Sequence, residues 1–141
     1  MRLHIVARGR IGRGPEADLV DRYLKRMTWP TALTELPERG AGRLAAPPAP
    51  SVTVVLDERG RALPSRELAE QLEGWRDAGM REARFLIGAA DGHEESVRAS
   101  ADLLLSFGPA TWPHLMVRAM LAEQLYRATS ILANHPYHRE G

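Results

Sequence analysis

The sequence predicts an α/β fold in which a mostly parallel sheet is flanked by helices. Short apolar runs rich in β-branched residues alternate along the chain with longer segments of helical periodicity. The run at residues 52–57, VTVVLD, is almost continuously apolar, which is typical of a strand buried on both faces of a parallel sheet. A length of 141 residues with 44% hydrophobic content suits a single domain that spans residues 1–141.

The first half of the chain is predicted to fold as strand, helix, strand, loop and strand. These elements are placed at residues 3–7, 15–27, 31–36, 37–50 and 52–57. The first strand ends at a turn rich in glycine and arginine, and the third ends at a glycine turn. Pro15 suits the first turn of the helix, and Glu16 and Asp18 lie near its positive end. The loop lacks periodicity and is rich in Pro, Ala and Gly.

The second half is predicted to alternate helices and strands. They are a helix at 65–79, a strand at 84–88, a helix that carries Val97, Ala101 and Leu104, a short strand within 103–107, and a helix from 114 to about 133. Ser65 is a candidate N-cap, and Gly79 ends that helix. The predicted buried face of the last helix comprises Leu115, Met116, Ala119, Met120, Ala122, Tyr126 and Thr129.

The composition excludes several classes of protein. There is no cysteine, so disulfides and thiolate zinc sites are excluded, and a reducing compartment is expected. Because the N-terminus lacks the apolar part of a signal peptide and no apolar run reaches the roughly 18 residues of a transmembrane helix, we expect a cytoplasmic protein. His135 and His138 are separated by Pro136, which breaks helical geometry, so we predict no metal site there.

Basic residues are concentrated near the N-terminus, although the net charge is only +1. Residues 1–26 contain three acids and seven basic side chains. The basic ones are Arg2, Arg8, Arg10, Arg13, Arg22, Lys25 and Arg26. This excess makes the segment a candidate phosphate-binding region. Alternatively, it reflects an arginine-rich and alanine-rich composition such as a GC-rich genome produces, since all but one of the 19 basic residues are arginine.

Three turns form the candidate ligand site, because a parallel sheet binds ligands at the carboxyl ends of its strands. The first turn follows Leu56 and Asp57, the second follows Ile87 and Gly88, and the third spans residues 108–113. Each has small or turn-forming residues that let the backbone approach a ligand, although glycine also has purely structural uses in such turns. No GxGxxG or P-loop motif follows these strands, which disfavours a dinucleotide site and an unrelated small-molecule enzyme.

Several separated segments carry a resemblance to a known family. They read LDERG at residues 56–60, WPHLMVR at 112–118, EQLYRA at 123–128 and NHPYHRE at 134–140. With the turn at residues 87–88, they resemble the ribosomal RNA large-subunit methyltransferase H family over nearly the whole chain. The resemblance implies a SPOUT-type fold with a C-terminal trefoil knot, a rare exception to chain topology rules. It also implies a homodimer, S-adenosyl-L-methionine as methyl donor, and N3 of a pseudouridine in 23S ribosomal RNA as acceptor.

The resemblance further implies which residues build the site. The cofactor walls are expected to be Leu56, Gly88, Ala89, Gly108, Pro109, Ala110, Thr111, Trp112 and Pro113. Candidate catalytic residues are His114, Arg118, Tyr137, His138 and Arg139. A base such as His138 would take the N3 proton, or Arg118 or Arg139 would stabilise charge on the neighbouring oxygen. Tyr137 would stack on or hydrogen-bond the extruded base, and His114 is either a site residue or a helix cap. In this arrangement the tail helps to form the active site, and the dimer partner completes the surface for RNA.

Two departures from the family pattern suggest a second function. Ala89 stands where relatives usually have a second glycine, and its methyl group would narrow the cofactor site. The loop at residues 37–50 is shorter than in many relatives. The alternative is therefore a ribosome-associated binding protein with a degenerate cofactor pocket. Arg118 and Glu123 are five residues apart, a poor intrahelical pair, so either is expected to reach a ligand or partner.

Overall fold

The computed structural model describes residues 1–39, 45–89 and 92–139. In chain order its elements are β1 (Arg2–Arg8), α1 (Pro15–Arg26), β2 (Thr31–Leu36), β3 (Ser51–Ala62), α2 (Ser65–Asp77), β4 (Glu82–Ile87), α3 (Glu95–Ala99), β5 (Leu103–Ser106) and α4 (His114–Leu132). Within these ranges the strands form a five-stranded parallel sheet in the order β2-β1-β4-β3-β5. The predicted α/β class is confirmed, while the trefoil knot stays a prediction.

The core lies between the sheet and the helices that pack on it. Leu3 and Ile5 of β1 and Phe85 of β4 are fully buried, and they share one cluster with Leu121 and Leu125 of α4. Burial of each such side chain contributes about 2 kcal/mol, because apolar surface is removed from water. α4 also packs against α1 and α2. Since β3, β4 and β5 are parallel neighbours, their carboxyl ends meet at one edge of the sheet.

The ends of α1 and α2 follow local rules of helix formation. α1 begins with Pro15, as predicted. The prediction that Ser65 is the N-cap of α2 is wrong, because Pro64 holds that position. Ser65 is the first helical residue, and its hydroxyl donates a hydrogen bond to Gln124 Oε1 of α4 at 2.7 Å. Gly79 has a φ of 85°, the left-handed conformation that ends a helix.

β3 is longer than predicted. The strand does not end after Asp57 but continues through Gly60 to Ala62. Its pairing with β5 shifts in register between Leu56 and Arg61, so the extra residues form a bulge. The glycine turn predicted at this point therefore lies within the strand.

The helix predicted around Val97 is shorter than expected. α3 stops before Ala101, and Leu104 lies in β5, so the prediction that one helix carries all three residues is wrong. Asp102 marks the point where β5 begins. Its backbone N–H donates to Thr53 O at 2.9 Å, and its carboxylate accepts from Thr53 N at 2.8 Å. These two bonds fasten the chain to β3 and end the helix.

The buried face of α4 differs from the predicted one. The buried residues are Arg118, Ala119, Leu121, Ala122, Leu125, Ala128, Thr129 and Ser130. Met116 is 39% exposed and Met120 is half-buried, so the prediction that both belong to the core is wrong. The methionines lie on a side of α4 that the sheet does not cover. No helix in the described part of the chain has the length and apolar composition needed to cross a membrane.

A buried carboxylate joins the amino ends of β1 and β4, at the edge of the sheet opposite the ends of β3, β4 and β5. Glu82 accepts hydrogen bonds from Arg2 Nε at 2.8 Å and from Arg84 Nε at 3.0 Å. His4 Nδ1 lies 3.6 Å from the same carboxylate. Burial alone raises the pKa of Glu82, but the hydrogen bond from Arg2 and the charges of Arg84 and Arg2 lower it overall. The carboxylate is therefore ionised in the folded protein at neutral pH.

Replacing Glu82 by Gln is expected to lower the free energy of unfolding by about 3 kcal/mol at neutral pH, because Arg2 and Arg84 lose their buried counter-charge. The lowered pKa means that this contribution is present above the pKa of the unfolded chain and is lost as the pH falls through the folded pKa. Urea unfolding should therefore show a large difference between the two proteins at neutral pH and a smaller one at acidic pH.

The matched control is Glu73→Gln on α2, where the carboxylate is half exposed and lies 3.9 Å from Arg76. That change should cost less than about 0.5 kcal/mol at either pH, because exposed ion pairs contribute little. An equal loss for Glu82→Gln at both pH values would show that the carboxylate charge does not stabilise the fold.

Candidate functional site

A cleft of about 580 Å³ opens at the carboxyl edge of the sheet, where β3, β4 and β5 end. Its walls are the bulged part of β3, the turn after β4, the segment after β5 and the first turn of α4. They consist of Leu56, Asp57, Glu58, Arg59, Ile87, Gly88, Ala89, Gly92, His93, Arg98, Leu105, Ser106, Phe107, Gly108, Ala110, Thr111, Trp112, Pro113, His114 and Val117. The three predicted ligand-binding segments therefore meet in one cavity.

Side-chain hydrogen bonds fasten the segment after β5 to β3. Thr111 donates to Glu58 Oε2 at 2.9 Å. Ser106 Oγ donates to Gly108 O at 2.8 Å and accepts from Gly108 N at 3.0 Å, which closes the turn. Gly108 has a φ of 106°, a conformation that residues with a side chain rarely adopt. This wall of the cleft is thus fixed by the fold itself.

An ion pair joins the segment after β4 to β3. Arg98 lies 3.6 Å from Asp57 and donates to His93 O at 2.6 Å. Burial alone raises the pKa of Asp57, but the N–H and the charge of Arg59, with the charge of Arg98, lower it overall. His93 Nε2 lies 3.2 Å from Leu86 O, and burial lowers the pKa of this imidazole. The wall therefore holds an ionised carboxylate paired with Arg59 and Arg98, beside an imidazole that is neutral at pH 7.

The backbone approaches itself closely at Gly88. A Cβ atom on this residue would lie 2.9 Å from Gly92 C, 3.0 Å from Gly92 O and 3.3 Å from His93 Cε1. Any side chain at this position would therefore push the turn after β4 out of place. Ala90 and Asp91, which belong to the predicted turn, lie outside the described residues.

The C-terminal tail packs on α1 and α4 of its own chain. The Tyr137 ring lies edge-on to Tyr126, with 4.7 Å between centroids, and the Arg127 guanidinium lies 4.8 Å from its centre. Its hydroxyl lies 3.4 Å from that of Tyr23 and 3.5 Å from Glu123 Oε1. Burial, together with the contacts to Tyr23 and Glu123, raises the pKa of Tyr137. The phenol is therefore protonated at neutral pH and acts as a hydrogen-bond donor.

An apolar groove of about 650 Å³ lies between α1 and α4. Met116 and Met120, the methionines that α4 leaves partly uncovered, line it. Tyr23, which contacts the tail, also lines it. Ser106 and Phe107 line both the groove and the cleft. The groove is thus a neighbour of the tail on one side and of the cleft on the other.

The chain matches one protein family over almost its whole length. The family model described as "Predicted SPOUT methyltransferase" matches residues 1–138. Two relatives named Ribosomal RNA large subunit methyltransferase H, from Erythrobacter litoralis (strain HTCC2594) and Rhizorhabdus wittichii, are 68% and 69% identical to it over 141 residues. The match covers 100% of both chains in each case. The chain belongs to the ribosomal RNA large subunit methyltransferase H family.

The fold of this methyltransferase family member also occurs in a solved structure. A probable methylase family protein from Haemophilus influenzae Rd KW20 matches with a TM-score of 0.61. The match covers 99% of this chain and 70% of that one. At 15% sequence identity, the likeness concerns the fold alone.

The predicted cofactor walls of this methyltransferase come together in the cleft, with one exception. Those that line it are Leu56, Gly88, Ala89, Gly108, Ala110, Thr111, Trp112 and Pro113. Pro109 is among the described residues but not among those that line the cleft. Trp112 is 42% exposed, so its ring stands at the rim. That these residues bind the cofactor stays a prediction.

The candidate catalytic residues of α4 take two different positions. His114 lines the cleft, and its predicted capping role is wrong, because Pro113 is the N-cap and no side-chain cap bond forms. Arg118, one turn further on, is fully buried and is not among the described residues that line the cleft. Its guanidinium pairs with Glu35 and donates to Gly9 O at 3.0 Å. Arg118 is thus paired within its own chain, and its role towards the acceptor base stays a prediction.

The candidate residues of the tail lie apart from the cleft of their own chain. Tyr137, His138 and Arg139 are described, but none of them lines it. His138 Nδ1 lies 3.1 Å from an Arg127 nitrogen, and Arg127 Nε donates to Glu123 Oε1 at 2.7 Å. The spacing between Arg118 and Glu123 predicted that either would reach a ligand or partner. Glu123 is instead paired with Arg127 of the same helix.

His93 and Arg98 are among the cleft residues that the sequence did not predict. Their place in the wall depends on how the whole segment after β4 folds back on β3, and no local pattern shows this. Val117 also lines the cleft. Its spacing of three residues from His114 puts both on one side of α4, so helical periodicity was a usable signal for it.

Proposed function

We propose that this chain methylates N3 of a pseudouridine in large-subunit (23S) ribosomal RNA, with S-adenosyl-L-methionine as the methyl donor. The observation that carries the proposal is the cleft at the carboxyl edge of the sheet, where parallel sheets place their ligands. Relatives that are 68% and 69% identical over the whole chain are named as ribosomal RNA methyltransferases, which supports the same substrate class.

The cleft fits the methyl donor in size and in chemistry. Its volume of about 580 Å³ lies within the range of roughly 300–1,000 Å³ found for small-molecule sites. Leu56, Ile87 and Leu105 offer apolar surface to an adenine ring, and the backbone of residues 108–113 offers polar groups. Asp57 is paired with Arg59 and Arg98, so it holds this wall of the cleft in place. When bound, the donor supplies a methyl carbon that its sulfonium sulfur makes electrophilic.

Replacing Gly88 by Ala is expected to weaken binding of S-adenosylmethionine about tenfold, because the new Cβ displaces the turn after β4. Calorimetric titration of both proteins measures this difference. The matched control is Ala89→Gly, which removes a methyl group from the same wall and should leave the affinity unchanged or improve it. If Gly88→Ala bound the cofactor as the parent protein does, this turn would not belong to the cofactor site.

The chain itself has to hold the acceptor base in line and remove the N3 proton. His114 in the cleft wall and His138 of the tail are the candidate bases. Arg139 is the candidate cation for the charge that spreads onto the neighbouring oxygen after the proton leaves. Tyr137 offers a ring and an O–H donor to a base that has left its stack.

A homodimer would bring these groups together. The groove of about 650 Å³ presents partly exposed methionines, which suit a protein partner. It adjoins the cleft through Ser106 and Phe107 and adjoins the tail through Tyr23. A second copy seated in the groove would lie beside the cleft and could supply its own tail to it. Ribosomal RNA or the assembled ribosome is the macromolecular partner, which makes the cytoplasm the place of action.

The alternative, a ribosome-associated binding protein with a degenerate pocket, is not favoured. Ala89 raised this alternative, yet it lies in the wall of a cleft that keeps a volume of about 580 Å³. The space for a cofactor is therefore retained despite the extra methyl group.

Incubation of the purified protein with labelled S-adenosylmethionine and ribosomes that lack the modification tests the proposal. Label should enter 23S ribosomal RNA, and mass spectrometry of nuclease fragments should place the methyl group on N3 of a pseudouridine. Binding of ribosomes without any incorporation of label would favour the alternative. If no label is transferred, calorimetric titration with the cofactor shows whether the cleft fails to bind S-adenosylmethionine or whether the RNA is not the substrate.

A further inference from the structure

The loop that follows β1 is fastened to α4 by an ion pair between the exposed Glu35 and the fully buried Arg118. This basic loop, residues 9–14, contains Arg10 and Arg13, both exposed. Ile11 N donates to Glu35 Oε2 at 2.8 Å, and the same Glu35 oxygen accepts from Arg118. Arg118 also donates to Gly9 O. The loop is thus held at two backbone points, Ile11 N and Gly9 O, and its two arginines are exposed.

The anchor depends on Glu35. Arg118 is fully buried, and its Nε has no hydrogen-bond partner among the described residues. Its charge is therefore balanced by a single carboxylate and a carbonyl. The N–H of Ile11, followed by the bond and charge of Arg118, lowers the pKa of Glu35 despite burial. Loss of this carboxylate would leave a buried guanidinium without a counter-charge and release Ile11.

The basic loop lies next to the cleft. β1 and β4 are parallel neighbours, and Ala7 pairs with Ile87 at their carboxyl ends. The loop after β1 and the Gly88 turn after β4 therefore leave the same edge of the sheet side by side. Arg118 also stands one turn beyond His114 on α4, whose first turn is a wall of the cleft. One helix thus positions both the cleft wall and the loop.

We propose that Glu35 and Arg118 are positioning residues that hold the basic loop so that Arg10 and Arg13 bind phosphates of the RNA whose base enters the cleft. Arginine neutralises phosphate without reading sequence, so the contact would fix the RNA beside the site. The inference rests on the proposed function, because it needs an RNA substrate. It assigns phosphate binding to part of the excess of basic residues near the N-terminus. The total charge of +1 gives no indication of such a role.

The test compares four variants of the full chain: Arg10→Gln with Arg13→Gln, Glu35→Gln, the three changes together, and Arg81→Gln as control. Arg81 is exposed and precedes β4, at the opposite edge of the sheet. For each, kcat and KM for unmodified ribosomes, cofactor affinity, and the salt dependence of ribosome binding are measured. Should Glu35→Gln fail to fold, Glu35→Asp replaces it, since it keeps the charge and withdraws the oxygen from Ile11.

The double arginine variant should raise KM about tenfold and lower the slope of log K against log salt by roughly 2, with kcat and cofactor affinity unchanged. The Glu35 variant should shift KM and the salt slope in the same direction. The combined variant should be no worse than the double arginine variant, because both act through the same contact. Arg81→Gln should leave KM as it is.

A Glu35 variant that lowers stability or kcat while KM and salt slope stay unchanged would overturn the proposal, as would full additivity in the combined variant. If the parent protein transfers no methyl group, the proposed function fails, and ribosome binding alone still decides the role of the loop. In that case, unchanged ribosome binding by both the arginine and the Glu35 variants would overturn the inference.

Discussion

Deletion of residues 137–141 is expected to abolish methyl transfer, by about a thousandfold or more, while affinity for S-adenosylmethionine is retained. The deletion removes Tyr137, the candidate contact to the nucleobase, His138, the candidate general base, and Arg139, the candidate cation. A general base alone contributes about 10²–10⁴-fold in rate. None of these described residues lines the cleft of its own chain, so the cofactor walls stay complete. Label transfer to ribosomes and calorimetric cofactor titration measure the two effects separately.

Single substitutions show which part of the tail matters. Tyr137→Phe keeps the ring packing on Tyr126 and Arg127 and removes only the hydroxyl. It should therefore keep the stability of the parent protein. His138→Ala and Arg139→Gln then divide the catalytic loss between the candidate base and the candidate cation. Full activity of the truncated protein would refute a catalytic role for the tail, and lost cofactor binding would show that the tail supports the pocket instead.

The strands of the sheet could be predicted well because each depends on a local pattern. β2 has the predicted bounds, and β1 and β4 differ from theirs by one or two residues at each end. β3 and α3 could not be placed as well, because both are shaped by pairing with β5. Asp102 and Thr53, whose mutual bonds end α3, are 49 residues apart in sequence. No window of helical periodicity contains both.

The site was predictable to the extent that it follows from the parallel sheet. Carboxyl ends of neighbouring strands meet at one edge, and this alone brings Leu56, Gly88 and Thr111 into one cleft. Arg118 shows the limit of this reasoning. Spacing along α4 says which residues share a side of the helix, but its partner Glu35 lies 83 residues away on β2. Burial of Arg118, its ion pair with Glu35 and its bond to Gly9 O join α4 to the loop after β1.

Gly60 lies where β3 was predicted to end, next to the residues of that strand that line the cleft. The residue lies in the bulge of β3, where the strand approaches β5. A Cβ atom there would lie 2.6 Å from both C and O of Leu104 and 2.8 Å from Leu105 N. These are backbone atoms of a paired strand, so they cannot move aside as a flexible side chain would. The sequence contains this glycine because β3 has to pass β5 at this distance and pair with it again through Arg61.

Replacing Gly60 by Ala is expected to lower the free energy of unfolding by about 3 kcal/mol, because the added methyl group forces β3 away from β5. Thermal unfolding should show a fall in Tm of roughly 10 °C. Because Leu105 and Ser106 of β5 also line the cleft, cofactor affinity should fall with stability.

The matched control is Gly74→Ala on the exposed side of α2, where a Cβ meets nothing within 4 Å. That change should stabilise the protein by up to about 1 kcal/mol, since alanine favours a helix over glycine. Equal effects of the two substitutions would mean that β3 and β5 are farther apart at the bulge than the structure places them.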